Sequence, residues 1–214
     1  MQASIDAGEV VTYYRLRAVM PAGTSAPCDV VSISMYPGLP SEPPDREQMQ
    51  ARFKKAGLAS SPEDSMARRD AARTVVSYQM FQNQSSLGTI KKGDYLAVSY
   101  MKTPNIGEWL KMETTIWKPL AEALIKDGVQ SSWSVNVLVM PGGDDAPYQG
   151  VSVDGYPSLA AALKAQWPDP NMDARFKRVH PGMDFDTTIE KALKTRSQSL
   201  VYLYQVEDEL SARQ

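Results

Sequence analysis

Two stretches of the chain share a pattern of alternating apolar, β-branched and aromatic residues that stops at a turn rich in Pro and Gly. They are residues 10–20 and 129–140. Apolar residues that recur at every second position and are followed by turn residues are typical of a strand that enters a hairpin. The runs that follow, residues 29–35 and 149–154, are predicted to be the second strands of the two hairpins.

Polar stretches bounded by Pro and Gly come after each hairpin, and this pattern favours helices. The predicted helices are residues 46–55, 62–73, 159–166, 172–178 and 184–196, and the strands predicted to follow them are residues 75–82 and 200–206. Residues 83–93 are hydrophilic and have no periodicity that would form a core, so they are predicted to be a link.

The chain also repeats itself. When residues 1–40 are aligned with residues 121–160, 14 of the 40 positions are identical. The shared residues include Met-Pro, Ala-Pro and Tyr-Pro pairs at the same offsets in both copies, and the register continues with a shift of three into two Ala-Arg-Phe-Lys segments. Repetition at this length predicts that one supersecondary unit occurs twice.

The second copy has two further elements at its start. Residues 95–102 read as a strand, and residues 106–126 read as a long amphipathic helix. The apolar residues of this helix recur at spacings of three and four, which predicts one buried face: Ile106, Trp109, Leu110, Ile116, Trp117, Leu120 and Leu124. The second copy is thus predicted to be β-α-β-β-α-β, the ferredoxin-like unit, and the chain to be an α+β protein of tandem ferredoxin-like repeats.

The predicted organisation is a first repeat in residues 1–83, a linker in 84–93, a second and complete repeat in 94–208, and a tail in 209–214. Residues 1–8 align with the last turns of the long helix, so the first repeat is predicted to lack its opening strand and most of its first helix. Either the chain is a fragment of a longer product, or a partner chain fills the gap. The fragment is favoured, because an uncovered sheet edge is an aggregation liability.

Composition narrows the function classes. The 23 Lys and Arg are balanced by 25 Asp and Glu, which argues against a nucleic-acid partner. No apolar run reaches the roughly 18 residues of a membrane span, so a soluble protein without a membrane partner is expected. Cys28 is the single cysteine and His180 the single histidine, so neither an internal disulfide nor a cysteine or multi-histidine metal centre can form within one chain.

The doubled ferredoxin-like unit resembles the dimeric α/β-barrel superfamily, and residues 94–206 are similar to uncharacterised bacterial members that are often exported. The segments that carry the resemblance are Trp117-Lys118-Pro119, Pro141-Gly142-Gly143 and His180-Pro181-Gly182. The resemblance implies a barrel-like architecture whose interior often holds a small, largely apolar ligand. Members range from cofactor-free monooxygenases and haem enzymes to binding proteins, so the fold alone does not select an activity. Export is weakly favoured by the same resemblance.

Glu113 lies four residues from both Trp109 and Trp117, so it is expected on the buried face of the long helix. A carboxylate there would lose its hydration and have a raised pKa, which suits a general base or an acceptor that orients a ligand. The alternative is a border position, where Glu113 pairs with a neighbouring Lys or Arg. Pro119 removes a helical N–H and is expected to bend the helix near Thr115.

Two arginines lie on one face of the first strand. Arg15 and Arg17 would suit an anionic ligand such as a carboxylate if that face lines the barrel, or they form a solvated face. Arg73 and Arg196 occupy equivalent positions in the two copies, at the end of a helix. A cation there interacts favourably with the helix C-terminus, so a structural role is expected for both.

Other candidates carry weaker signals. His180 could be a haem ligand, but it falls in a predicted turn, where a surface or hydrogen-bonding role is expected. The adjacent Asp144 and Asp145 are typical turn formers rather than a cation site, and nothing near Cys28 marks it as a nucleophile. No metal site and no cofactor are therefore expected.

Three functions remain open. The leading hypothesis is a barrel that binds a small apolar or aromatic molecule between the sheet and the long helix, lined by Tyr100, Trp109, Trp117 and Trp133. The alternative is a cofactor-independent oxygenase or isomerase, in which Glu113, or an Asn136/Trp133 pair, removes a proton or positions the substrate. A third possibility is a structural module whose interior is packed solid. Homo-oligomers are expected from the exposed sheet edges of this fold.

Overall fold

The structure is a computed structural model of the chain, and it describes residues 1–23, 26–39, 42, 45–143 and 146–212. Two compact units make up the chain: unit 1 comprises Met1–Leu16, Val30–Tyr78 and Asp208–Gln214, and unit 2 comprises Arg17–Asp29 and Gln79–Glu207. Of the helices in the described ranges, none combines the length and the apolar character that crossing a bilayer requires. Asp144 and Asp145 lie outside the described residues, as do the last two residues of the predicted tail.

Unit 1 is organised around two strands and short capped helices. Its elements are α1 (Gln2–Asp6), the first part of β1 (Thr12–Met20), β2 (Val30–Met35), α2 (Arg46–Lys55) and α3 (Pro62–Ala71). Asp45 caps the N-terminus of helix α2. Its side chain accepts a hydrogen bond from the backbone N–H of Gln48, and the Gln48 side chain accepts one from the backbone N–H of Asp45. No residue of α2 is buried, so caps rather than core packing fix its position in the sequence.

Unit 2 contains most of the sheet. Its strands are β3 (Met80–Gly88), β4 (Tyr95–Lys102), β5 (Ser132–Met140), β6 (Gly150–Tyr156) and most of β7 (Ser197–Ser211). Within this unit, hydrogen bonds join the strands in the order β7-β4-β6-β5-β3, and β4, β5 and β6 lie in the interior of the sheet. The pairs β3–β5, β5–β6, β4–β6 and β4–β7 are antiparallel. Their register places Asp154 of β6 between Ala97 of β4 and Trp133 of β5.

The helices of unit 2 cover the side of the sheet that carries Ala97, Trp133 and Asp154, which we call the helix-facing side. They are α4 (Ile106–Met112), a π-helical turn (Glu113–Trp117), α5 (Lys118–Lys126), α6 (Leu159–Lys164), α7 (Met172–Val179) and α8 (Phe185–Thr195). Met101, Trp109, Ala121, Trp133 and Val135 form one core cluster between the long helical segment and the sheet. The predicted buried face is confirmed for Trp109, Leu120 and Leu124, whereas Ile106 at the start of α4 is exposed.

Three elements differ from their prediction. The last strand, expected at residues 200–206, runs from Ser197 to Ser211 and takes up the first residues of the expected tail. The strand expected at residues 75–82 is found at Met80–Gly88, and it occupies most of the segment that was interpreted as a hydrophilic link. It pairs with β5 through backbone hydrogen bonds, which need no apolar side chains, and its place at the end of the strand order leaves most of its polar residues exposed. The helix expected over residues 106–126, with a bend near Thr115, contains a π turn at Glu113–Trp117.

Candidate functional site

A cavity of about 360 Å³ lies in unit 2, between the helix-facing side of the sheet and the helices. Met101, Leu120 and Ile189 are among its apolar lining side chains. Polar side chains line it as well, and the charged ones among them are Glu113, Asp154 and Arg196. The cavity therefore combines apolar walls with a cluster of two carboxyl groups and one guanidinium group.

The π turn positions two of the side chains in this cavity. Glu113 is its first residue and Trp117 its last, and the backbone N–H of Lys118 donates to the Glu113 carbonyl, five residues back. In an α-helix the carbonyl of Thr115 would accept from residue 119, but Pro119 has no N–H to give. The helix therefore widens at the point where the sequence predicts a bend. π turns are rare in proteins, and a large share of those that occur lie at functional sites.

Glu113 is almost completely buried, with 2% of its surface exposed. Its Oε1 accepts a hydrogen bond of 2.8 Å from Nε1 of Trp109, one turn earlier. Burial raises the pKa of Glu113 to about 7, against the opposing influence of Arg196 and of the Trp109 hydrogen bond, and the negative charge of Asp154 adds to the rise. A carboxyl group in this state can accept or release a proton near neutral pH.

Arg196 follows the last residue of α8 and directs its side chain into the cluster. Its Nε lies 3.4 Å from Glu113 Oε1, an ion-pair distance, but the N–H is not aligned for a hydrogen bond. The side chain is 13% exposed. Arg196 thus neutralises Glu113 in part while its buried Nε–H is left without an acceptor.

Asp154 lies in the middle of the sheet, on β6, and Gln130 precedes β5. The Gln130 amide Nε2 donates to Asp154 Oδ1 at 2.9 Å. Burial of the carboxyl group raises the pKa of Asp154 to about 6, opposed by the Gln130 hydrogen bond and by the charge of Arg196. Two carboxyl groups with raised pKa values therefore share one arginine, an arrangement typical of functional sites.

Three buried polar atoms among the described residues have no hydrogen-bond partner: Trp117 Nε1, Gln130 Oε1 and Arg196 Nε. All three belong to side chains that line the cavity. Buried polar atoms in folded proteins are almost always paired, because leaving one unpaired costs about 1–3 kcal/mol. The side chains that carry these two unpaired donors and one unpaired acceptor therefore line the same cavity.

The residues predicted to bind a ligand do not all meet in this cavity. Trp117 and Trp133 line it. Trp109 is fully buried in the core beside it and holds Glu113. Tyr100 lies on the opposite side of the sheet, because β4 alternates and directs Ala97, Ser99 and Met101 towards the helices. The prediction that four aromatic residues together line one binding site is therefore corrected for Tyr100, which does not line the cavity.

Tyr100 belongs instead to a group of tyrosines on the opposite side. Its ring packs edge to face on those of Tyr148, at a centroid distance of 4.6 Å, and Tyr202, at 5.4 Å. Burial raises the pKa of Tyr100 to about 12, so the hydroxyl group stays protonated at neutral pH.

Asn136 is also on that opposite side, so it cannot act together with Trp133 as the sequence suggested. It follows Trp133 by three positions on β5, and side chains of a strand alternate. Its Oδ1 accepts from Asn83 of β3 at 2.9 Å, and its Nδ2 donates to the Ser134 hydroxyl at 3.1 Å. These bonds occupy both ends of the amide.

Arg15 and Arg17 are exposed on β1 and are not among the residues that line the cavity. Arg17 forms an ion pair with Glu207 of β7. Their role in anion binding stays a prediction.

His180 and Cys28 take no part in the cavity. His180 Nε2 lies 3.0 Å from the carbonyl oxygen of Ile116 in the π turn, and its ring packs on Phe176 at 4.8 Å between centroids. The expected hydrogen-bonding role describes this histidine. Within the described ranges no group of three or more His, Cys, Asp and Glu residues could hold a metal ion.

Sequence reasoning missed three members of the cluster: Asp154, Gln130 and Arg196. Arg196 was interpreted as a cation that caps a helix, and it does stand at the end of α8, but its side chain reaches Glu113. The signal that could have identified Asp154 is its place within an apolar strand, on the same side as Ser152 and Tyr156. A charged residue in an interior strand is costly unless it is paired or functional.

Comparisons with known proteins show the fold. No family model matches the chain, and no curated protein matches it. The solved structure of an anthrone oxidase-like protein matches with a TM-score of 0.53 at 13% identity, over 100% of this chain and 85% of that chain. A candidate monooxygenase from Fusobacterium nucleatum subsp. nucleatum matches with a TM-score of 0.51 at 10% identity, over 95% of this chain and 78% of that chain. The chain therefore has the α+β, barrel-like fold of these two proteins.

Proposed function

We propose that the protein binds a small aromatic molecule in the cavity of unit 2. The observation that carries this proposal is the set of three unpaired buried atoms, Trp117 Nε1, Gln130 Oε1 and Arg196 Nε, around one cavity. A ligand that pairs with them removes a cost that the empty protein bears. The volume of about 360 Å³ also falls in the range of small-molecule sites, which is roughly 300–1,000 Å³.

Replacing Trp117 by Phe tests this proposal, because it removes the indole N–H and keeps an aromatic ring. We expect the affinity for 2-naphthol, measured by isothermal titration calorimetry, to fall about tenfold, the equivalent of about 1.4 kcal/mol for one buried hydrogen bond. Trp167→Phe is the matched control, since Trp167 is 71% exposed and does not line the cavity. Equal affinity in the two variants, or no saturable binding by the native protein, would contradict the proposal.

A second candidate function is enzymatic: proton abstraction from the bound molecule by Glu113, followed by reaction with O₂. The position of Glu113 in the cavity, with a pKa of about 7, favours it. The names of the similar structures, an anthrone oxidase-like protein and a candidate monooxygenase, make anthrone a suitable probe. Anthrone and O₂ give anthraquinone and water. The base removes a methylene proton, the carbanion adds O₂, and the peroxide takes up the proton and loses water to leave the carbonyl group.

Oxygen consumption with anthrone separates this candidate from simple binding. If Glu113 is the base, Glu113→Gln should lower the rate above the uncatalysed background by about 10²-fold or more. Glu122→Gln should leave the rate unchanged, because Glu122 is exposed on α5 and does not line the cavity. Equal rates for Glu113→Gln and the native protein would rule out this role for Glu113.

We further propose that the chain is a tandem repeat and that it self-associates. The order β1, β2, α2, α3 in the first half of the chain parallels β5, β6 and the helices that follow in the second, which supports a repeated unit. Self-association is supported by the edge position of β3, whose exposed residues leave it available to a second copy. Sedimentation of the purified chain measures this directly.

A further inference from the structure

We infer that the cavity takes its ligand as an anion, with one negatively charged oxygen on an aromatic body, and that the ligand replaces Glu113 as the partner of Arg196 while Glu113 binds a proton. This inference rests on the proposed function and specifies its ligand chemistry. Phenolates and aromatic carboxylates share this chemistry.

The first argument is that two buried donors lack a hydrogen-bond partner. Arg196 Nε and Trp117 Nε1 both carry a hydrogen without an acceptor, and both side chains line the cavity. Trp109 Nε1 is not available, because it donates to Glu113. An anionic oxygen is the strongest acceptor for a guanidinium N–H, and charge-assisted bonds of this kind are about twice as strong as neutral ones.

The second argument is the charge balance. The charged side chains that line the cavity are Glu113, Asp154 and Arg196, so the cluster carries a net charge of −1 when both carboxyl groups are ionised. An anionic ligand would increase this to −2 in a buried site. Uncompensated buried charge is costly, so the complex forms readily only when one carboxyl group takes up a proton.

Geometry selects Glu113 as the group that is protonated. Its Oε1 is 3.4 Å from Arg196 Nε, so it loses the most when a ligand oxygen takes over that arginine. Asp154 keeps the hydrogen bond from Gln130. The groups packed around Glu113 are Arg196 from the end of α8, Asp154 from β6 and Trp109 from α4, while His180 from the end of α7 bonds the π turn at Ile116. The resting pKa of about 7 leaves Glu113 ionised at pH 8 and able to take up a proton on binding.

The experiment compares 2-naphthoate with its neutral analogue 2-naphthamide by calorimetry at pH 8, in two buffers that differ in ionisation enthalpy. For native protein we expect 2-naphthoate to bind more tightly than 2-naphthamide and with uptake of about one proton, since Glu113 is ionised before binding and neutral afterwards. The affinity for 2-naphthoate should fall by about tenfold for each pH unit above 7.

Glu113→Gln supplies the decisive variant, because glutamine resembles the protonated glutamic acid. Proton uptake should disappear, and 2-naphthoate should bind about tenfold more tightly than to native protein at pH 8, where native Glu113 must first be protonated. Glu122→Gln should keep the proton uptake, because Glu122 is exposed on α5 and does not line the cavity. Thermal unfolding of each variant verifies that it is folded. A variant that is not folded is replaced by Arg196→Lys, for which we expect a larger loss of affinity for 2-naphthoate than for 2-naphthamide.

The outcomes separate this inference from the function on which it rests. If neither compound binds, both are overturned. If both bind with equal affinity and no proton uptake, the cavity is a binding site but the inference is wrong. Proton uptake that persists in Glu113→Gln, or that is lost in Glu122→Gln, would also overturn the assignment to Glu113.

Discussion

Glu113→Gln is expected to raise the free energy of unfolding by about 3 kcal/mol at pH 8.5 and to change it little at pH 4, because burial raises the pKa of Glu113 from 4.5 to about 7. Between these two values the folded chain holds a proton that the unfolded chain releases. The stability that the neutral form provides is therefore fully present below pH 4.5 and is lost as the pH rises through 7. Glutamine cannot ionise and does not incur this loss.

Urea unfolding at pH 4, 7 and 8.5 measures this effect, with Glu122→Gln as the exposed control, for which we expect a change within about 0.5 kcal/mol. A Glu113→Gln variant that is less stable than the native protein at pH 8.5 would show that the ion pair with Arg196 outweighs the cost of burial. The expected increase in the free energy of unfolding on Glu113→Gln also bears on function. A residue that lowers the stability of the folded protein at neutral pH is typical of a site that serves binding or catalysis.

Trp109→Ala should lower the free energy of unfolding by about 3–5 kcal/mol, because it leaves a large void in the main core cluster of unit 2. Trp109 is completely buried, and its ring fits against β6 only because residue 150 is a glycine: a Cβ there would lie 2.5 Å from Trp109 Cη2. Chemical unfolding at pH 5 measures the loss, with Trp167→Ala as the control, which should change the stability by less than about 0.5 kcal/mol.

Trp109→Phe distinguishes the packing role from the hydrogen-bonding role of the same residue. It keeps most of the ring volume and removes the N–H that Glu113 accepts. The stability loss at pH 5 should then be smaller than that of Trp109→Ala, and the pKa of Glu113 should rise further, because a bond to the charged form is gone. Equal losses for Trp109→Ala and Trp167→Ala would contradict the core assignment.

Periodicity predicted the parts of the fold that are amphipathic. The face of the long helix that carries Trp109, Leu120 and Leu124 is buried as its spacing indicates, and the alternating runs of β1 and β5 are strands. The strand Met80–Gly88 was misplaced because it is paired through its backbone and carries mostly polar, exposed side chains. Such a strand has no apolar signal to detect.

The candidate site was predictable only where it depends on one element. Glu113, Trp109 and Trp117 share one helix, so their proximity follows from a spacing of four residues. Arg196, Asp154 and Gln130 come from three other places in the chain, and only the packing of helices on the sheet brings them together. Tyr100 and Asn136 were assigned to the wrong side of the sheet, because alternation fixes which residues share a side but not which side meets the helices.

The π turn also has a consequence for related sequences. A π turn is an α-helix that has gained one residue, so deleting a single residue between Leu110 and Trp117 would return the segment to regular helix. Because a π turn accommodates its extra residue as a local bulge, the deletion would leave α4 and α5 close to their present orientation and would change the position of Glu113 or Trp117 relative to the cavity. Relatives that keep the fold but lack this cluster should therefore show a one-residue gap at this point of the alignment. The length of the helix then indicates whether a relative retains the site.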